Sequence, residues 1–375
     1  MRRIYPYFTL TLVVFLSTLV LWSPFLLKAN SWFGLKISQP SFDYVYRHYD
    51  GPLYIIPAKT LYNPKSLEIG IPPKYFAAHL PGYPMLIRVV REIRVFGGYL
   101  KSMLIANLLA TVGLTLFFYF FLKKFKLTKK PLLLTAVFLF LPRFLVVRSV
   151  GAPESLFILL ILGSLYFFEK ERYLLAGLFG GLAAITKTPG ILLFGAYCLV
   201  FVERLIKEKK TNWQWLGIIL IPLGLLGAFG IFWKQYGDFF AYFHSGDNLH
   251  LVFPFSVFNF QKPWVGTAWL EDVVFYFFLY GLTIFSLKNI KQRSLFYFSL
   301  VFYIAALFIQ HRDISRYSLP LWPMALIAYE KFFTSKKFLI VGIIILLAVY
   351  LYAWNFMIYN VMPIADWKPY LYKVF

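Results

Sequence analysis

A short polar stretch between two apolar segments carries the residues best suited to acid–base chemistry. Residues 46–52 read YRHYDGP, so that Asp50 closely follows Arg47 and His48, and Asp43 lies shortly before them. A carboxylate held just outside a membrane can accept the proton of an incoming hydroxyl, which is general-base catalysis. We therefore predict that Asp50 is the catalytic base and that Asp43, Arg47 and His48 contact the substrate. The structural alternatives are an Asp-Gly turn that caps a helix, and for Asp43 a helix cap or a partner of Arg47.

Further candidates for substrate binding lie in other polar segments and at the ends of apolar runs. They are His79, Glu154, Lys187, His311, Arg312, Arg316 and Tyr317. Cations stabilise the negative charge that builds on a departing phosphate, and a carboxylate with such a basic set suits the transfer of a group from a lipid-linked phosphate. The alternatives are ion pairing of the two arginines with Asp313, a dipole-favoured position for Glu154 at a helix start, and interfacial histidines without a role.

The sequence lacks the motifs of several enzyme classes. It contains no GxxxxGK[ST], GxSxG or GxGxxG pattern, which removes support for ATP, serine-hydrolase and nicotinamide chemistry. The five histidines show no metal-ligand spacing, and the single cysteine, Cys198, lies in an apolar segment. We therefore expect no required cofactor, although the sequence leaves open a divalent ion that helps to bind the phosphate.

The elements that must position these residues are membrane-spanning helices. With 60% hydrophobic and 14% charged residues, the chain is too apolar for a soluble globular protein, and its apolar runs match the thickness of a bilayer. We predict an all-α polytopic membrane protein with a single domain over 1–375. It has about eleven spans, near 7–27, 99–122, 131–147, 154–168, 173–187, 189–202, 213–233, 268–287, 294–309, 318–332 and 338–355.

The positive charges indicate the orientation of these spans. The formal net charge is +22, and lysine and arginine concentrate in alternate loops, at 2–3, 123–130, 170–172, 204–210, 288–293 and 331–337. By the positive-inside rule these segments are cytoplasmic, so the charge is an orientation signal rather than a nucleic-acid surface. The 28–98 and 234–267 loops and the 310–317 turn then lie outside a plasma membrane. Segments 54–62 and 77–94 have the amphipathic pattern of interfacial helices.

Two groups of residues resemble a known family of membrane glycosyltransferases. RHYDGPLY at 47–54 and AAHLPGYPMLIR at 77–88 resemble the first lumenal loop of the GPI mannosyltransferase II (PIG-V-like) family, with its W-D-[GS/A]-x-x-Y and F-x-P-L-Y-P elements. APESLF at 152–157 and YLLAGLFGGLAAITK at 173–187 resemble its P-[YE/T]-E-S-L-F and A-G-L-x-G-x-L-A-x-x-T-R elements. The likeness covers roughly 45–190. Tyr49 replaces a tryptophan, Gly82 a leucine and Lys187 an arginine.

The resemblance implies a GT-C fold, a catalytic aspartate in an outer loop and a polyprenyl-phosphate sugar donor. On that basis we predict an inverting hexosyltransferase, with mannose as the implied sugar, that acts on a glycan, lipid or protein acceptor at the outer face of the membrane. Two other classes remain open. A lipid or polysaccharide transporter would carry ionisable groups near the bilayer midplane, and a non-catalytic scaffold subunit would tolerate the polar loop without needing it.

Overall fold

The computed structural model describes residues 4–48, 50–64, 71–93, 97–209, 211–246, 251–258, 270–311 and 313–360. These residues form α-helices, short 3-10 helices and one small β-hairpin, β1 (Ser31–Trp32) with β2 (Leu35–Lys36). The α-helices are α1 Tyr5–Leu26, α2 Asp43–Tyr46, α3 Gly51–Thr60, α4 Gly82–Glu92, α5 Tyr99–Lys124, α6 Pro131–Phe138, α7 Pro142–Val147, α8 Glu154–Glu169, α9 Tyr173–Ala184, α10 Leu192–Glu208, α11 Leu220–Tyr236, α12 Ala241–His244, α13 Leu270–Leu287, α14 Arg293–Leu307, α15 Ile314–Tyr317, α16 Trp322–Ala328, α17 Glu330–Phe333 and α18 Lys336–Tyr359. The 3-10 helices are Pro73–Ala78, Thr188–Ile191, Trp213–Ile219, Ser256–Phe258 and Leu319–Leu321.

Five helical segments of the described chain are long and apolar enough to cross a membrane. They are Tyr5–Leu26, Tyr99–Lys124, Thr188–Glu208, Trp213–Tyr236 and Lys336–Tyr359. Shorter apolar helices follow the same pattern at Tyr173–Ala184, Arg293–Leu307 and Leu319–Ala328. The chain is therefore a multi-pass membrane protein, while the predicted total of about eleven spans and their orientation stay predictions.

Two of the predicted spans are not continuous helices. The 131–147 span is interrupted between α6 and α7, where Pro142 begins the second helix, because proline cannot donate a backbone hydrogen bond and favours a first helical turn. The 318–332 span is likewise divided into the 3-10 helix Leu319–Leu321, α16 and α17, with Pro320 and Pro323 in the first turns of the first two.

Residues 1–159, 228–246 and 334–375 form one compact unit, unit 1. Its most polar buried feature is Arg148, which is fully buried just after α7. The guanidinium donates through Nε to the carbonyl oxygen of Leu139 at 3.2 Å, next to the break after α6, and through Nη1 and Nη2 to the hydroxyls of Thr18 and Ser17 in α1, at 3.0 and 2.8 Å. These contacts tie α1 to the interrupted helix pair.

The two helices predicted to lie in the membrane interface differ from each other in unit 1. The first is α3, which begins at Gly51 rather than at residue 54. Its residues 51–58 are all buried, so it has no exposed apolar face and the interfacial prediction is wrong for it. The second is α4, which begins at Gly82 rather than at residue 77. It buries Tyr83, Ile87 and Val90 and exposes Met85 and Val89, so it is amphipathic, and its location in the membrane interface stays a prediction.

Residues 160–227 and 247–333 form the other compact unit, unit 2. There the glycine-rich sequence of α9 lets two backbones approach closely. A Cβ at Gly177 would lie 1.9 Å from the carbonyl oxygen of Gly217, and one at Gly181 would lie 2.6 Å from that of Leu220. Small residues are the usual means by which membrane helices pack at short distance. The glycines in the segment that resembles a family motif therefore have a packing role.

We predict that Gly177→Ala destabilises the protein. The added methyl would collide with backbone, which cannot rotate away as a side chain can, and overpacking costs about 1–3 kcal/mol. Gly230→Ala is the matched control, since Gly230 also lies in an apolar helix and a Cβ there meets nothing within 4 Å. Thermal denaturation in detergent should show a lower Tm for Gly177→Ala and no decrease for Gly230→Ala. Equal Tm values for the two variants would contradict the packing role.

Candidate active site

Asp50 occupies the residue position that caps α3 but does not use its side chain for that purpose. It immediately precedes Gly51, has φ −82° and ψ 11°, and makes no capping hydrogen bond through its carboxylate. Its backbone carbonyl accepts from Leu53 at 2.9 Å. The geometry therefore does not support the Asp-Gly capping alternative, and the half-buried carboxylate is not engaged at the helix start.

The backbone beside Asp50 is held by close packing. A Cβ at Gly51 would lie 3.0 Å from the carbonyl oxygen of Gly151 and 3.3 Å from Sδ of Met103 in α5, so that only glycine fits without displacing a neighbour. Asn107, also in α5, holds the backbone of 147–150, which leads to Gly151 on the other side of this contact. Its Nδ2 donates to the carbonyls of Val147 and Val150, at 2.8 and 2.5 Å. The contact between Gly51 and Gly151 forms what we call the Asp50 corner. Asp50 therefore lies at a closely packed corner rather than in a loose loop.

Glu154 and His79 lie at the ends of a buried aromatic row in unit 1. The His79 ring contacts the Tyr54 ring edge-on at 4.7 Å, and Tyr54 contacts Tyr83 at 5.2 Å. The Tyr83 hydroxyl donates to the carbonyl of Met103 at 2.8 Å. Burial, with the negative charge of Glu154 as a second cause, raises the pKa of Tyr83 well above its ordinary value. The structure thus links both predicted residues to the helix that begins at Asp50.

The residues before Asp50 combine cationic and aromatic groups. Asp43 is the first residue of α2. Burial of Tyr46 in the same helix raises the pKa of its hydroxyl, and the negative charge of Asp43 raises it further. Nε of Arg47 is buried without a hydrogen-bond partner among the described residues. His48 is fully buried, and its ring lies 5.4 Å from that of Phe356. These side chains make the Asp50 corner rich in hydrogen-bond donors.

Arg143 is a cation near this corner that the sequence-based site prediction missed. It lies in the first turn of α7, and its guanidinium carbon is 4.1 Å from the centre of the Phe356 ring, the same ring that His48 contacts. Arg143 falls inside a predicted apolar span. An ionisable residue in such a span is by itself a signal for a functional position, and that signal was available in the sequence.

Arg88 supports the C-terminal end of α3, the helix that follows Asp50. Its Nη1 donates to the carbonyls of Ala58 and Lys59, at 3.1 and 3.2 Å. These oxygens belong to the last turn of α3, where backbone carbonyls lack helical partners and a positive charge is favourable. Arg88 is therefore a structural residue of the first loop.

The remaining candidates belong to unit 2, where Lys187 and His311 both contact the aromatic ring of a third candidate, Tyr317. Nζ of Lys187 lies 5.6 Å from the centre of the Tyr317 ring, and the His311 ring contacts the same ring edge-on at 5.0 Å. The Lys187 position depends on a tight turn, because a Cβ at Gly190 would lie 2.4 Å from the backbone nitrogen of Ala184. Nδ1 of His311 accepts from the backbone of Asp313 at 3.0 Å, which leaves Nε2 as the protonated nitrogen of a neutral ring.

Arg316 lies in the short helix α15, adjacent to Tyr317, and is buried. Its helix rests on an apolar cluster that includes Ile314, Val257 and Ile309. The backbone of 252–255 pairs with the end of α14, through Val252 to Phe308 at 3.0 Å and Phe255 to Leu307 at 2.7 Å. Arg312 lies outside the described residues. A buried arginine beside a lysine–tyrosine–histidine group gives unit 2 a basic, aromatic cluster.

A second ionic group of unit 1 involves the loop that follows α11. Oδ2 of Asp238 is 2.9 Å from Nδ1 of His244 and 3.1 Å from Nζ of Lys74. These two partners, His244 first, lower the pKa of Asp238 below its usual range. His244 is the last residue of the four-residue helix α12. In the described parts of the chain, no three His, Cys, Asp or Glu side chains are grouped so that they could hold a metal ion.

Comparison with known proteins gives limited information about this arrangement. No protein-family model matches the chain, and no curated protein matches it. Among solved structures, the chain is similar to the Archaeoglobus fulgidus oligosaccharyltransferase in complex with zinc and sulfate, at 13% sequence identity and a TM-score of 0.48. The similarity covers 96% of this chain and 54% of that chain, so this chain spans about half the length of the protein it matches. At that identity and TM-score the similarity does not assign a function.

We predict that Arg88→Gln loosens α3. Glutamine loses the charge that stabilises the two terminal carbonyls, and hydrogen bonds to charged groups contribute about 1.5–3 kcal/mol. Hydrogen exchange of the 51–60 amides, followed by mass spectrometry, should become faster, whereas exchange in α10 should not change. Arg172→Gln, at an exposed arginine of unit 2, is the control. Unchanged exchange of α3 in Arg88→Gln would rule out the supporting role.

Proposed function

We propose that this protein is a membrane glycosyltransferase and that Asp50 is its general base. The observation that carries the proposal is the position of Asp50, which immediately precedes a buried helix and lies at a corner closely packed by Gly51 and Gly151. A catalytic base must be held in place within hydrogen-bond reach of the acceptor hydroxyl. Donors on Arg47 and His48 beside it suit a hydroxyl-rich or anionic substrate.

The proposed reaction is an inverting transfer of a hexose from a polyprenyl phosphate. The acceptor oxygen attacks the anomeric carbon of the donor while Asp50 takes the acceptor proton. The bond between the anomeric carbon and the phosphate oxygen breaks, and its electron pair leaves with the polyprenyl phosphate. No redox change occurs, so the chain needs no oxidant or reductant for this step. Mannose as the sugar follows only from the resemblance of 45–190 to the PIG-V-like family.

Arg316 and Lys187, with Arg312, are the proposed ligands of the donor phosphate. They supply positive charge for the oxygen that becomes the leaving group, and the Tyr317 ring beside Lys187 suits the first, apolar part of a polyprenyl chain. Asp43, His79, Glu154 and His311 are further proposed substrate contacts. Arg143 joins this group on the strength of its position against Phe356.

We expect Asp50→Asn to lower kcat by about 10²–10⁴-fold, because asparagine keeps the size and polarity of the side chain but cannot accept the proton. Purified protein in nanodiscs, supplied with a polyprenyl-phosphate hexose and an acceptor glycan, would provide the assay. Asp272→Asn is the matched control, since Asp272 is an exposed carboxylate in the first turn of α13. Turnover by Asp50→Asn close to that of the wild type would eliminate this residue as the base.

We expect Arg316→Ala to weaken the binding of polyprenyl phosphate and to lower turnover more than it lowers protein abundance. Arg316→Lys should restore only part of the loss, since lysine keeps the charge but not the planar, bidentate geometry of arginine. Binding can be measured with a fluorescent polyprenyl phosphate and expression by quantitative blotting. If Arg316→Ala binds this lipid and turns over normally, Arg316 does not contact the donor.

A further inference from the structure

An open cavity in unit 2, apart from the candidate site residues, has apolar walls and one polar end. Its volume is about 560 Å³, and it lies between α10 and the 3-10 helix Trp213–Ile219. Phe194, Cys198 and Phe201 line it from α10, and Thr211 and Asn212 form the polar end. The volume falls in the range of small-molecule sites. An amphipathic cavity in a membrane protein is suited to an amphipathic ligand.

The α10 wall is a continuous apolar stripe. Positions 194, 198 and 201 follow a helical spacing that places their side chains on one face, and at 1.5 Å per residue the stripe is about 10 Å long. The Phe201 ring stacks on Trp215 of the opposite wall, with ring centres 4.2 Å apart. The cavity therefore has the lining of a site for part of a hydrocarbon chain, and the ring stack joins its two walls at Phe201.

The opposite wall is an unusually long 3-10 helix. Seven residues exceed the three or four that are common in this conformation. With three residues per turn, Trp213, Leu216 and Ile219 lie along one edge, and they are 79%, 64% and 41% exposed. Gly217 of the same helix presses against α9, because a Cβ there would lie 2.6 Å from the backbone nitrogen of Leu174. The wall is thus fixed in place while an apolar edge stays uncovered.

Basic residues lie close in sequence to Thr211 and Asn212 at the polar end of this cavity. Lys209 is exposed and ends α10 in the left-handed conformation, with φ 51°. Lys207 pairs with Glu203, Glu208 is an exposed carboxylate, and Lys210 follows outside the described residues. In sequence, 203–210 carries four basic residues and two acids. The side-chain oxygen of Asn212 accepts from Gln214 at 2.9 Å, which directs its amide nitrogen elsewhere as a donor.

We propose that this cavity binds one acyl chain of an anionic phospholipid. The chain lies along Phe194, Cys198 and Phe201, and the phosphate group contacts Lys209, Thr211 and Asn212. The charge at the polar end favours an anionic headgroup, and the apolar lining of the cavity favours a chain over a soluble phosphate. Such a site is independent of the transferase reaction, so its test does not rely on activity.

Cys198 is the only cysteine of the chain and reports on the cavity directly. N-ethylmaleimide labelling of Cys198 can be timed in nanodiscs of phosphatidylcholine alone and of phosphatidylcholine with phosphatidylglycerol. We expect the anionic lipid to slow labelling about fivefold or more, because the thiol reacts only while the cavity is empty and the rate falls with that fraction. Native mass spectrometry should also show retained phosphatidylglycerol.

The charge at the polar end is tested by Lys209→Gln, which should abolish both the slowing and the retained lipid. Lys126→Gln is the matched control, because Lys126 is also an exposed lysine in the left-handed conformation after a long helix, with φ 53°, and does not line the cavity. It should keep the full effect. Equal labelling rates in the two bilayers, or slowing that persists in Lys209→Gln, would overturn the assignment.

Discussion

The burial of the Arg148 guanidinium is the constraint on which unit 1 depends. A cation removed from water is tolerated only when its donors find acceptors, and here the acceptors are neutral oxygens of α1 and of the break after α6. The same stretch of α1 receives further bonds, from the Tyr350 hydroxyl to the carbonyl of Ser17 and from Trp354 to that of Leu21. The polar interior therefore determines which helices are neighbours, since apolar side chains alone would pack equally well against lipid.

The corner that carries Asp50 follows from this arrangement. Backbone carbonyls on both sides of Arg148, in residues 147–150, accept hydrogen bonds from Trp22 and Asn107. The turn after Arg148 also brings Gly151 against Gly51. Polar bonds thus fix one side of the contact, and the absence of two Cβ atoms allows the other side to approach. Asp50 is held by residues that do no chemistry themselves, which is how a site obtains precision.

Unit 2 reaches the same kind of order by different means. Glycines of α9 place backbone against backbone, and Gly190 tightens the turn after it, so that Lys187 projects beside Tyr317. The short helix α15, which contains Arg316, packs on an apolar cluster that includes Val257 and Ile309. In both units the candidate residues occur where a helix begins or ends. Irregular backbone at such positions in a membrane protein persists only where other groups satisfy its donors and acceptors, which is why polar and glycine residues accompany the candidates.

The sequence by itself determined that the chain is helical and crosses a membrane repeatedly, because apolar length is a local property that hydropathy reads directly. It also located the long apolar helices and the polar segments that carry Asp50, Lys187 and Arg316. Only the tertiary structure decided that α3 is buried rather than interfacial, that the Asp50 carboxylate does not cap it, that Arg88 supports its end, and that Arg143 shares the Phe356 ring with His48. Those outcomes depend on contacts between residues far apart in the chain, and the hydrophobic pattern of a single segment does not encode its partner.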